Sequence, residues 1–218
     1  MSSPITAREE ILGRIRAALH GASTGAEASH AVIARGYARS GTLDRRACLE
    51  LFIDRLVDYD TQVVELTDET ELAGAIEDVL RRAAEDRLLV PADFPQQWLP
   101  RSVSVELDNN LATEQMERAQ AVLTTCEAAV ASTGTIILVH GGAQGRRAIT
   151  LLPDHHLCVV RRDQVYELVP EALAAMAAQS ARPITTISGP SATSDIEMTR
   201  IRGVHGPRRL TALLYGRL

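Results

Sequence analysis

The 218-residue sequence predicts an α/β protein: a largely parallel sheet covered by helices on both faces, preceded by a helical arm. Two observations predict it. From residue 62 onward, short apolar runs alternate with segments of helical periodicity, the pattern of strand–helix units. Before residue 60 only helical spacing occurs, with no strand-like run.

Taken in order, residues 5–19 place Ile11, Leu12, Ile15 and Leu19 on one helical face, with Thr6 as the N-cap. Gly21 to Gly41 is rich in Gly, Ala, Ser and Thr and reads as a mobile or extended connector. Residues 44–58 are again amphipathic and helical. We therefore expect residues 1–60 to be a helical arm with a flexible connector and residues 61–218 to be the α/β domain. Within that domain, Gln62–Leu66 reads as a strand, and Thr67 opens a helix running to about Glu85. Arg87–Val90 and Ser102–Val105 are strands separated by a turn at Phe94–Leu99. Thr113–Arg118 is a short helix. Ala121–Thr124, Ala128–Ala131, Thr135–Val139 and Leu157–Val160 are strand-like, Val165–Ala178 is a helix, and Ile184–Ile187 and Leu210–Tyr215 are the last strands.

Composition excludes several chemistries. The net charge of -5 argues against a general nucleic-acid binder. All 23 basic residues are arginine, so Schiff-base chemistry, a pyridoxal-phosphate anchor and a P-loop lysine are excluded. An anion must be held by arginine, hydroxyls or backbone N–H groups. Cys48, Cys126 and Cys158 stand apart with no C-x-x-C pair, which offers no framework for an iron–sulfur cluster or a zinc knuckle. With no signal-peptide pattern and no apolar run of membrane-spanning length, the expectation is a reduced, cytoplasmic protein. The core must be aliphatic, since hydrophobic content is 45% and aromatic content only 3%.

The segment Ile187–Glu197 is dense in short hydroxyls, glycine and acids, just after a strand. Gly189 lets a ligand approach the backbone, and Ser188, Ser191 and Thr193 supply compact donors. In a parallel sheet such a loop would lie beyond the carboxyl ends of the strands. Ser194-Asp-Ile-Glu197 also matches a capping box, so Glu197 is divided between capping a helix and acid–base work, and Asp195 is the freer carboxylate. Ser132-Thr-Gly-Thr135 reads as a tight inter-strand turn that needs a positive φ at Gly134; it matters for function only if the fold brings it beside the 188–197 loop. Gly141–Arg147 reads as a hairpin loop or an anion nest with Arg146 and Arg147 as partners. Asp154, His155 and His156 raise the question of a metal. Adjacent histidines on a strand point to opposite faces, so at most one pairs with Asp154. His205 is either a general acid–base or a turn histidine bonded within its own loop.

Four motifs in order, Ser132-Thr-Gly-Thr135, Arg147-x-x-Thr-Leu-Leu-Pro153 with His156 following, Ser188-Gly-Pro-Ser-x-Thr-x-Asp-Ile-Glu197 and Gly203-Val-His-Gly-Pro207, resemble the LUD-domain family. Ser132 stands where that motif often carries an acidic or polar residue. The resemblance implies a three-layer α/β sandwich like those of ribose-5-phosphate isomerases and CoA transferases, occupying residues 61–218. It also implies a role in bacterial oxidation of L-lactate to pyruvate together with iron–sulfur partner proteins, which would carry the clusters, leaving no cofactor in this chain. Carried over by position, Thr133, Gly134, Thr135, Arg147, Ser188, Gly189, Ser191, Thr193 and Gly206 would bind a small anionic ligand, and Glu197, Asp195 and His205 are the catalytic candidates. Two other readings stay open: a stand-alone enzyme of the CoA-transferase or isomerase type using Glu197 or Asp195, and a non-catalytic scaffold whose arm makes a homodimer or partner interface.

Overall fold

A computed structural model describes residues 6–19, 34, 36–179, 181–193, 201–202 and 206–217. The chain divides into two compact units, residues 1–38 and 39–218. The first contains α1, Ala7–Leu19. Thr6 caps it: the Glu9 N–H donates to the Thr6 hydroxyl at 3.3 Å and the Thr6 N–H to the Glu9 carboxylate at 2.9 Å.

The second unit begins with α2, Arg45–Asp58, whose N-cap Asp44 accepts from the Ala47 N–H at 2.8 Å. The expected boundary at residue 60 therefore falls at 38 instead. Cys48, Leu49, Phe52 and Leu56 recur at helical spacing and are buried in the main core, so α2 is part of the domain rather than of the arm.

Six parallel strands form the main sheet, in the order β1-β12-β7-β4-β2-β3. They are β1 Gln62–Glu65, β2 Arg87–Pro91, β3 Ser104–Asp108, β4 Ala121–Thr125, β7 His155–Arg161 and β12 Arg209–Tyr215. The central strands β4, β7 and β12 are buried along nearly their whole length, as cover on both faces requires, with Thr124, His155, His156 and Thr211 as their buried polar residues. On one face lies α3, Leu72–Arg82, which buries Leu72, Ile76, Val79 and Leu80 against the sheet with Trp98 and Tyr215 nearby. On the other face lie α2 and a second sheet. That sheet is the main departure from the expected single one. It has four strands in the order β8-β5-β6-β9, namely β8 Val165–Tyr166, β5 Ala128–Val130, β6 Thr135–Val139 and β9 Ile184–Ile187. β6 is antiparallel to both β5 and β9. Its outer face is covered by α5, Val169–Ala175, through Ala172 and Met176. The short helix α4 is Thr113–Met116, and β10 Ala192–Thr193 pairs with β11 Ile201–Arg202.

The single helix expected over 165–178 is thus β8 followed by α5. Val165 and Tyr166 suit a strand, and Pro170, whose φ is set for a first helical turn, starts the helix after them. Helix α3 starts at Leu72 rather than Thr67, after a 3-10 turn at Glu69–Glu71 capped by Asp68. The architecture is an α/β sandwich with a mainly parallel sheet. No helix among the described residues is long and apolar enough to cross a membrane.

Candidate functional site

The hydroxyl-bearing turns meet. The Thr135 hydroxyl lies 2.8 Å from the Ser188 hydroxyl and 2.7 Å from that of Thr133, although 53 residues separate Thr135 from Ser188. Register explains the meeting: β6 and β9 pair with Ile136 opposite Ile187, so Thr135, the first residue of β6, faces Ser188, the residue that follows β9.

Two glycines let the turns sit where they do. Gly134 has φ +56, and a Cβ there would stand 2.8 Å from the Arg55 Cβ and 2.9 Å from the Arg55 carbonyl. Gly189 has φ +84, and its Cβ would stand 2.8 Å from the Tyr59 Cβ and 2.9 Å from the Tyr59 carbonyl oxygen. Both turns therefore rest on the last turn of α2, which only glycine's bare backbone permits. The helix assigned to the arm from sequence is the platform of the site.

Beside the turns opens a cavity of about 270 Å³. Its wall includes five of the predicted residues: Arg147, Ser188, Gly189, Ser191 and Gly206. Thr135 and Thr133 stand behind Ser188, and Gly134 is a packing glycine rather than a wall residue. Thr193 is in β10, paired with Ile201. Asp195, Glu197 and His205, with the proposed capping box from Ser194, lie outside the described residues.

Thr150, His156, Thr185 and Thr186 also line the cavity without having been chosen as site residues. Thr150 and His156 were present in the Arg147 motif, which was the available signal; nothing in the spacing of Thr185 and Thr186 distinguishes them from ordinary strand residues. The position in the fold also differs from expectation. His156 and Leu210 are the second residues of β7 and β12, so the cavity sits at the amino ends of the parallel strands. The physical reason is that β9, which delivers the 188–193 loop, belongs to the second sheet, and its carboxyl end points to the amino edge of the first.

Among the described residues lining the cavity, Arg147 carries the positive charge. One of its Nη atoms donates to the Thr150 hydroxyl at 3.2 Å, and that hydroxyl donates to the Arg147 carbonyl at 3.0 Å. Arg146, expected beside it as an anion partner, instead binds Asp108 through Nε and Nη2, both at 2.8 Å. That forked pair holds the Asp108 carboxyl below its usual range and anchors the 141–150 segment. The Nε2 atom of His156 lies 2.8 Å from the Thr124 hydroxyl, buried. Burial pushes the His156 imidazole down to about 3, with the charges of His155 and Arg147 adding to the effect. His156 is therefore a neutral hydrogen-bonding group at any ordinary pH. His155 faces the other way, between Glu85 at 2.8 Å and Thr211 at 2.9 Å, and Glu85 also pairs with Arg209. Its carboxylate partner is Glu85, not Asp154, and both ring nitrogens are engaged, which leaves neither for a metal.

The LUD-domain family model matches residues 49–215, from within α2 to the end of β12. The chain belongs to the LUD-domain family. It is 46% identical over 177 residues to lactate utilization protein C of Deinococcus radiodurans, covering 80% of this chain and 82% of that protein. It is 26% identical to lactate utilization protein C of Bacillus subtilis, covering 72% of this chain and 74% of the relative. A crystal structure of a DUF162 family protein from Deinococcus radiodurans superposes with a TM-score of 0.70 at 42% identity, covering 80% of this chain and 100% of that one. The LUD match starts inside α2, in keeping with the packing that makes this helix part of the domain.

Proposed function

We propose that this LUD protein is a component of a bacterial L-lactate-utilising system and that its amino-end cavity holds a small organic anion of the size of lactate or pyruvate. The observation that carries the reading is the convergence of Thr135 and Ser188 beside the Arg147 guanidinium, on a chain whose relatives are named for lactate utilization. A guanidinium with hydroxyls on either side suits a carboxylate and an adjacent oxygen. Neutral His156 adds a hydrogen-bonding group without a competing charge. In this reading the redox step belongs to iron–sulfur partner proteins, because no cysteine spacing in the chain frames a cluster.

Deleting the gene should abolish growth on L-lactate while leaving growth on glucose intact, and the wild-type gene should restore it. Arg147→Gln should restore it poorly, since one lost charge-assisted contact weakens binding by roughly tenfold or more. Growth of the deletion strain on L-lactate at the parental rate would contradict the role.

A further inference from the structure

We infer that the carboxyl end of the six-stranded sheet carries a second ligand site, built for a small hydroxylated organic anion. This inference is independent of the function proposed for the amino-end cavity. The adjacent strands β12, β7 and β4 end at Tyr215, Arg161 and Thr125, and all three residues line one cavity of about 300 Å³. Parallel sheets present ligands at this edge, because strand ends and the loops that leave them form a crevice there. The cavity lies at the opposite end of β7 from the first: the five steps from His156 to Arg161 span about 16 Å at strand rise.

The floor is buried and mixed in character, with Trp98, Cys126, Gln144 and Tyr215. The Trp98 and Tyr215 rings meet edge to face, with centroids 5.6 Å apart, and supply an apolar surface for a short carbon body. The Trp98 indole N–H is buried with no acceptor among the described residues. On one side the Glu127 carboxylate is aimed by two amides, Gln179 donating to Oε1 and Gln144 to Oε2, each at 2.9 Å. Gln144 is itself fixed by the Val139 N–H at 2.6 Å. A carboxylate so oriented retains lone pairs for a ligand hydroxyl.

At the rim stand two guanidiniums, Arg161 and Arg182. Arg182 donates to the His140 carbonyl at 2.5 Å, and Arg161 is held by Asp163 at 2.9 and 3.2 Å. Each guanidinium has five N–H donors, so these bonds fix its place without exhausting it. Gly141, at φ +116, leaves the space that Arg182 fills; a Cβ there would collide with its Nη2 atom. Gly141 and Gly142 thus line this cavity, with Arg161 and Arg182 as the cations beside them rather than Arg146 and Arg147. Arg161 is balanced by Asp163, whereas Arg182 is bonded to a carbonyl; its charge favours a negatively charged head, and Glu127 favours a hydroxyl beside it.

Trp98 is the only tryptophan of the chain and lines this cavity alone of the two, so its fluorescence reports occupancy directly. The full-length protein is titrated with glycerol 3-phosphate, and with glycerol as the uncharged counterpart. Glycerol 3-phosphate should give a saturable change and glycerol none. In Arg182→Gln and in Arg161→Gln the half-saturating concentration should rise by about tenfold, the value of one charge-assisted contact. In Arg147→Gln, which alters only the amino-end cavity, it should stay the same. Because Arg161 is exposed, its variant gives the reading even if Arg182→Gln fails to fold. The inference is overturned by the absence of a saturable change, by an unchanged response in both rim variants, or by loss of the response in Arg147→Gln.

Discussion

Gly134→Ala is expected to lower the unfolding free energy by about 2–5 kcal/mol, combining the cost of a left-handed alanine with that of forcing a methyl group into packed backbone. The new Cβ would lie 2.8–2.9 Å from atoms of Arg55, two of them backbone, so no side-chain rotation relieves the contact. Either the β5–β6 turn lifts away from α2 or the helix end shifts. Both movements displace Thr133 and Thr135 and break the hydroxyl contact with Ser188. Urea unfolding should show a lower midpoint at unchanged slope, the sign of a destabilised native state. A midpoint equal to that of the wild type would mean that the turn does not rest on α2 as described.

The second large effect is on the pH dependence of stability. His156 is held to about 3 in the folded protein, against an ordinary value of 6.5, because burial disfavours its charged form. Between those values the unfolded chain binds a proton that the folded one refuses. Stability from this group is therefore complete above pH 6.5 and is lost as the pH falls below it, down to about 3. From pH 7.5 to pH 5 the loss is about 2 kcal/mol. His140 shifts in the same direction, mainly through burial, and adds to the slope. The Asp108 and Glu171 carboxyls are lowered, so their contribution disappears only at more acid pH. In His156→Gln, where the amide can still meet Thr124, the stability profile between pH 6 and 5 should be shallower by about 1.2 kcal/mol per pH unit. An unaltered slope in the variant would show that His156 is not a buried neutral ring.

How far the sequence reached depends on whether a feature is local. The strands Thr135–Val139 and Ile184–Ile187 were bounded correctly, because apolar runs and flanking turn residues are local signals. That these two strands leave the parallel sheet and pair with one another was not legible, since the run Ile-Thr-Thr-Ile does not name its partner. The same limit put α2 in the arm: its spacing declares a buried face but not the surface that buries it. At the site, the pairing of the 133–135 turn with the 188–191 loop followed from the resemblance, and Gly134 and Gly189 do adopt positive φ. The placement at the amino edge did not follow, because it depends on how one sheet is oriented against the other. His156 was weighed as a metal ligand, and only burial beside Thr124 makes it a neutral wall residue. The carboxyl-end cavity draws on Trp98, Glu127, Arg161, Arg182 and Tyr215, which share no spacing at all.

The central claim is that the amino-end cavity is an anion site whose cation is Arg147. Calorimetric titration with L-lactate and with pyruvate tests it most directly. One binding event per chain is expected for at least one of the two, with affinity falling by roughly tenfold or more in Arg147→Gln. Heat of binding that is the same in the wild type and in Arg147→Gln, or no heat with either anion, would contradict it.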